Sequence, residues 1–288
     1  SVDAVTALNT AQTFQDFRDA AELFEVPAQN LIFASTDGRI GYQTPGRIPI
    51  RKGYDGKYPA FGWDPEQAWT GFIPFDALPH VLDPQDGWVV TANQASIYKG
   101  YPYFLTDDWS YGARSQRIVD LVTLATTGGN VMTADKMREI QFDSWNENAA
   151  FLVPKIKGAA VSGSAVEAVK LFDGWDFRQP SDSAPAAYFN AFWKNLLLDT
   201  FGSQLPADYQ PDGGDRWFTA VRNLWDSPED AWWDDVRTDA TEGRDAAVVK
   251  ALEDDGLNTF SVSITTIVVF VVLAMAIAVI AAWIPARR

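Results

Sequence analysis

Apolar positions over residues 1–29 recur at helical spacing. Val5, Leu8 and Ala11 share one face, and Phe14, Phe17, Ala21 and Phe24 share a second. Thr13 and Asp16 form a T-x-x-D helix-start signal ahead of the second set, and Pro27 ends the run. The pattern then changes to short β-rich runs. Residues 31–35 (LIFAS) and 39–43 (RIGYQ) flank Thr36-Asp37-Gly38, and Asp-Gly between such runs predicts a hairpin. From Thr44 to Asp86 the chain is dense in Pro and Gly, with Trp63, Trp69 and Phe72 interspersed; long loops of this kind cover a surface or build a binding site. Residues 88–92 (WVVTA) predict one further strand. From Ser110 to Leu252 the period is helical again, with Ile118, Leu121, Val122 and Leu124 on one side and Met137, Ile140, Phe142, Ala149 and Leu152 following. No segment repeats at a fixed period, which argues against a solenoid or propeller.

The last stretch differs from everything before it. Ile264 to Ile284 carries no charge, and at about 1.5 Å per residue a helix of this length spans a hydrocarbon core of roughly 30 Å. A buried core helix would normally keep a polar face, so the run predicts a single transmembrane helix. Trp283 suits the interface, Pro285 ends the helix, and Arg287 with Arg288 place the C-terminus on the cytoplasmic side. Residues 1–255 are then expected to be extracytoplasmic. Three regions follow: 1–109, strand- and loop-rich with N-terminal helices; 110–255, helical; and 256–288, the membrane tail.

Composition narrows the chemistry. The 288 residues contain no Cys and one His, and the net charge is −15. Disulfides, thiolate ligands and a thiol nucleophile are excluded. The acidic balance repels phosphate backbones, so no nucleic-acid partner is expected. The acids concentrate at 226–255, which reads as a solvated face. No charged and apolar export signal stands at the start of the sequence, so any such signal is expected upstream or not at all.

No G-x-S-x-G, H-E-x-x-H, phosphate-binding or dinucleotide fingerprint occurs. His80, in Leu78-Pro-His-Val-Leu82, has no implied partner and reads as a structural or exposed residue rather than a base. Asp107-Asp108 offers oxygen ligands for a hard cation, or a helix cap or solvated turn. Asn93, at the end of the 87–94 run, presents an amide able to donate to a developing oxyanion, or an ordinary turn residue. Arg117, near a helix start, suits a substrate carboxylate or a neighbouring acid.

Three blocks carry a resemblance: 29–51 (QNLIFASTDGRIGYQTPGRIPIR), 62–94 (GWDPEQAWTGFIPFDALPHVLDPQDGWVVTANQ) and 101–118 (YPYFLTDDWSYGARSQRI). Together with 141–154 and 211–236 they make residues 1–255 resemble the penicillin acylase family of N-terminal-nucleophile amidohydrolases. The resemblance implies an α+β fold, here a partial αββα core with a helical subdomain. It implies a self-cleaving precursor whose exposed Ser uses its own α-amine as base to hydrolyse linear amides, of the β-lactam side-chain or acyl-homoserine lactone type. By the same resemblance, the oxyanion-donating Asn falls on Asn93 rather than Gln94, and the active-site Arg on Arg117. A structural calcium ion would be held by the Gly56 carbonyl and the Asp107 carboxylate, and catalysis needs no cofactor. Ser1 matches an ordinary helix of the family, so the nucleophile is expected in a missing N-terminal portion, and this chain alone is expected to be inactive. The tail resembles the last membrane helix of an ABC-exporter permease. The competing reading is a non-catalytic, membrane-anchored extracytoplasmic binding module that uses the aromatic loops at 58–75, since clustered Trp suit stacking on sugars or peptides.

Overall fold

The computed structural model describes residues 1–254; the apolar run at 264–284 lies outside the described residues. No described helix is long and apolar enough to cross a membrane. The chain divides into two compact units, one spanning Ser1–Gln141 and one beginning at Phe142. The change of texture at 109/110 therefore falls inside the first unit.

In the first unit, helix α1 (Val2–Leu8) precedes α2 (Phe14–Glu22). The Thr13 hydroxyl accepts from the Asp16 backbone N–H at 3.1 Å while the Asp16 carboxylate accepts from the Thr13 N–H at 3.0 Å, completing the capping box the sequence signals. Phe14 and Phe17 on α2 meet Phe33 with ring centroids 5.5 and 5.4 Å apart, which docks the helix on the sheet. That sheet has the order β1 (Leu31–Ala34), β2 (Ile40–Gln43), β5 (His80–Leu82), all antiparallel. The Asp37-Gly38 turn closes β1 onto β2 as expected, with Gly38 N–H donating to the Ser35 carbonyl at 3.0 Å. Gly41 sits under the Phe14 ring: a Cβ there would lie 2.5 Å from Phe14 Cε2, so only glycine lets the helix approach this closely. A second hairpin pairs β3 (Pro49–Arg51) with β4 (Trp69–Phe72).

Residues 88–92 do not form the expected strand. They join no ladder among the described residues, and the chain from 83 to 112 runs without regular structure. Helices α3 (Ala113–Thr126) and α4 (Ala134–Gln141) complete the unit. Of the apolar set predicted to share one side of α3, Val122 is buried but Leu124 is exposed.

The second unit is helical, as the sequence predicts: α5 (Glu147–Ile156), α6 (Ala165–Ala168), α7 (Ala184–Asp199), α8 (Phe201–Gln204), α9 (Asp215–Leu224) and α10 (Arg244–Glu253). Its core is α7, on which Phe189, Phe192, Leu196 and Leu197 are fully enclosed. Ser183 caps this helix through the Ala186 N–H. Helix α10 is fastened to α7 by the Tyr188 hydroxyl, which donates to the Leu252 carbonyl at 2.8 Å, and by Asn195 Nδ2, which donates to the Asp254 carbonyl.

Candidate active site

The 88–94 segment holds an unusual local structure. Asn93 adopts φ = 67°, in the left-handed region that Asn tolerates better than other residues with a Cβ. The backbone and side chain around it are fixed from several directions. The Asn93 carbonyl accepts from the Ser110 N–H at 2.8 Å. Arg114 Nη2 donates both to the Ala92 carbonyl at 3.1 Å and to Asn93 Oδ1 at 2.8 Å. A guanidinium has donors only, so the amide atom facing it is the oxygen, and the NH2 group is turned away. Asn93 Nδ2 has no hydrogen-bond partner among the described residues, and Asn93 is exposed. An amide pinned by its oxygen, with both N–H bonds free, is a preorganised donor for an oxyanion.

Gln94 is held differently. Its Oε1 accepts from the Ala92 N–H at 2.6 Å and its Nε2 donates to the Val90 carbonyl at 2.8 Å, so both ends of its amide are committed to the backbone.

The side chain that holds Asn93 is Arg114, which spacing in the sequence does not pick out. It lies in the first turn of α3, behind Gly112 at φ = 95° and beside the buried Ser115, whose hydroxyl donates to the Gly112 carbonyl at 2.9 Å. Arg117 stands one turn further along α3, half-buried, with interactions of its own. Two arginines three residues apart project from neighbouring positions on one helix face, so spacing alone does not say which one reaches Asn93. The contact does.

Asp107 meets a protein cation, carried by the residue after Gly56. The Lys57 ammonium forms an ion pair with the Asp107 carboxylate, holding it below the usual carboxylate range, while Asp107 raises the lysine in turn. The Arg51 guanidinium lies over Gly56, where an added Cβ would sit 2.8 Å from Arg51 Nε. Gly56 has φ = 89°, so both conformation and space favour glycine. Calcium requires six to eight oxygen ligands. No group of three or more acidic or histidine ligands occurs among the described residues. With Lys57 on the Asp107 carboxylate and Arg51 over Gly56, the arrangement does not fit a calcium ion.

His80 is exposed, and its Nδ1 lies 2.9 Å from the Leu78 carbonyl. It borders a cavity of about 480 Å³ lined also by Tyr42, Tyr98 and Tyr101. Tyr101 donates from its hydroxyl to the Ala77 carbonyl at 2.7 Å, and burial raises its pKa. The Ser1 hydroxyl is occupied at both ends by Val26, donating to its carbonyl at 2.6 Å and accepting from its N–H at 3.2 Å.

Several known proteins are similar to this chain. The acyl-homoserine lactone acylase QuiP of Pseudomonas syringae pv. syringae is 27% identical over 274 residues, covering 88% of this chain and 32% of the relative. The penicillin acylase 2 proenzyme of a Pseudomonas species is 29% identical over 198 residues, covering 68% of this chain and 25% of the relative. The chain thus spans about a third or less of the length of the curated relatives it matches. Among solved structures, the thermostable penicillin G acylase of Alcaligenes faecalis superimposes with a TM-score of 0.65 at 20% identity, covering 92% of this chain and 52% of that one. That likeness shows a shared α+β fold. The family model described as penicillin amidase matches residues 1–259, and the chain belongs to that family.

Proposed function

We propose that this chain is the part of a penicillin-acylase-type amidohydrolase that supplies the oxyanion donor, with the nucleophilic Ser contributed by a portion of the enzyme that the chain does not contain. The observation that carries this reading is the Asn93 amide, fixed through its oxygen by Arg114 with its NH2 free. In the reaction, the Ser oxygen attacks the amide carbon and the carbonyl electrons move onto oxygen. The Asn93 NH2 donates to that oxyanion. Collapse expels the amine, which takes up the proton held by the nucleophile's base, and water then releases the acid from the acyl-enzyme. Substrates are linear amides of the β-lactam side-chain or acyl-homoserine lactone type. The double commitment of the Ser1 hydroxyl to Val26 supports a nucleophile other than Ser1. Arg117, one turn beyond Arg114, is the proposed substrate-facing residue, and the apolar run at 264–284 supports single-pass attachment with residues 1–255 extracytoplasmic.

The test is to supply the nucleophile-bearing portion of an acyl-homoserine lactone acylase together with this chain and to measure hydrolysis of phenylacetyl and long-chain acyl amides. Activity is expected only with both parts. Asn93→Ala should then lower kcat by about 10²–10³, equivalent to about 2.7–4 kcal/mol. Full activity in that variant would exclude Asn93 as the oxyanion donor.

Exposed Tyr58, Phe61 and Trp63, the last two with ring centroids 5.2 Å apart, favour a second reading as a non-catalytic binding surface. Quenching of Trp fluorescence by glycans, with no response to acyl amides, would select it.

A further inference from the structure

We propose that Gln94 is a positioning residue for Asn93: its side-chain amide takes the place of the neighbouring strand that the 88–92 segment lacks, and so fixes the left-handed turn from which the Asn93 amide is presented. The proposal rests on the reading of Asn93 as the oxyanion donor, but its structural content can be tested separately. The Val90 carbonyl and the Ala92 N–H flank Thr91, and they are the pair that one residue of a parallel neighbour would engage in a sheet. Gln94 engages both with a single planar amide, accepting from Ala92 at 2.6 Å and donating to Val90 at 2.8 Å. Ala92 is 8% exposed, so its N–H has little access to water and needs this acceptor.

The geometry has a consequence for the residue in between. The side chain at position 94 reaches back to residues 90 and 92 across a reversal at 93, where Asn93 stands at φ = 67°. The reversal brings the Asn93 carbonyl to the Ser110 N–H and Asn93 Oδ1 to Arg114. Gln94 therefore holds the turn from one side and Arg114 from the other. Neither needs to touch the substrate. Residue type at 94 is constrained as well: a carboxylate retains the acceptor and loses the donor, and an apolar isostere loses both.

The test uses the full chain, labelled with nitrogen-15 and held in detergent for its apolar tail. Gln94→Met should raise the exchange rate of the Ala92 backbone amide roughly tenfold or more and move the Asn93 side-chain NH2 resonances. Gln94→Glu, which keeps the acceptor, should leave Ala92 protected while still shifting Asn93. Should the Met variant fail to fold, the Glu variant alone decides through that split. Unchanged Ala92 exchange and unchanged Asn93 resonances in the folded variant would overturn the proposal. In the two-part activity assay, Gln94→Met should lower kcat with KM little changed, and should cost nothing further in an Asn93→Ala background. An additive loss would mean that Gln94 acts independently of Asn93 and would overturn the proposal. A neutral Asn93→Ala would refute the oxyanion reading while leaving the resonance result to judge Gln94's hold on Asn93.

Discussion

In the proposed reaction Asn93 and Arg114 divide one task between a donor and the group that aims it. Arg114 forks from one nitrogen to two oxygens, the Ala92 carbonyl and Asn93 Oδ1, and a lysine ammonium on a flexible stem reproduces the charge without the planar geometry. In the two-part assay, Arg114→Lys should reduce kcat on the order of tenfold, and KM should stay close to its original value because the interaction strengthens only in the transition state. A change confined to KM would instead place Arg114 on the substrate. The sequence singles out Asn93 as a candidate because the run to its left matches the family without a gap. It does not single out Arg114 as the contact of Asn93, because R-x-x-R on a helix offers two candidates on one face. The same scale governs the Gly56 and Asp107 pair. The cation beside Asp107 was not legible, since Lys57 is an unremarkable loop residue until it meets that carboxylate. Adding millimolar calcium in place of a chelator should leave the melting midpoint unchanged, whereas Lys57→Met should lower it slightly. A calcium-dependent rise in the unsubstituted chain would contradict the cation assignment.

Among the elements, those that close on their own neighbours were readable and those that close through side chains were not. The β1–β2 hairpin and the α2 capping box are written in adjacent residues. The 88–92 segment has strand composition, yet its hydrogen-bonding partner is the Gln94 side chain, and no periodicity announces that. Leu124 fits an apolar stripe by spacing and stands exposed, because α3 buries a narrower face than its pattern suggests. Helix α10 is held by another side-chain device. Asp235, almost fully buried, accepts from Arg237 Nε at 2.7 Å and Nη2 at 2.8 Å and pairs with Lys250 of α10, while Asp199 at the end of α7 accepts from Arg237 at 2.7 Å. The Arg237 hydrogen bonds, with that of Lys250, hold the Asp235 carboxyl well below its ordinary value, whereas burial pushes Asp199 up. For Asp235 the unfolded chain takes up the proton first as pH falls, so its stabilisation is present above the ordinary Asp range and is lost below it. Asp199 has the opposite sign: the folded form protonates first, which offsets part of that loss. Asp235→Asn should therefore cost about 2 kcal/mol near neutrality. In urea titrations at several pH values, the gap to the unsubstituted chain should narrow as pH drops below about 4. A gap independent of pH would mean that Asp235 contributes through shape and not through charge.

For the whole molecule, the family and the α+β class were legible from ordered blocks of sequence, and the two-unit division was not, because helices α3 and α4 share their texture with the second unit while packing with the first. The units differ in what they leave exposed. In the first, the three-stranded sheet ends at β1 and β5, Ile32 on β1 is exposed, and Tyr58, Trp63 and Trp69 stand in solvent. Unpaired strand edges beside exposed apolar groups favour association with further β-structure or with other copies. In the second unit, Phe189, Phe192, Leu196, Trp233 and Leu252 are enclosed, and α10 closes on α7 through Tyr188, whose hydroxyl is pushed up to about 12 by burial. Residues 142–254 produced alone should consequently remain monomeric and melt in a single cooperative transition, with an enthalpy of about 0.7 kcal/mol per residue near 60 °C. Stability should fall as pH rises from about 10, the ordinary tyrosine value, towards 12, since the unfolded chain loses the Tyr188 proton first. Residues 1–141 produced alone should self-associate, and should do so less when the nucleophile-bearing portion of a related acylase is present to cover the sheet. Calorimetry and sedimentation on the two segments decide the matter. A broad, non-cooperative melt of 142–254 would show that its core depends on the first unit, and a monomeric 1–141 would show that its exposed edges need no partner.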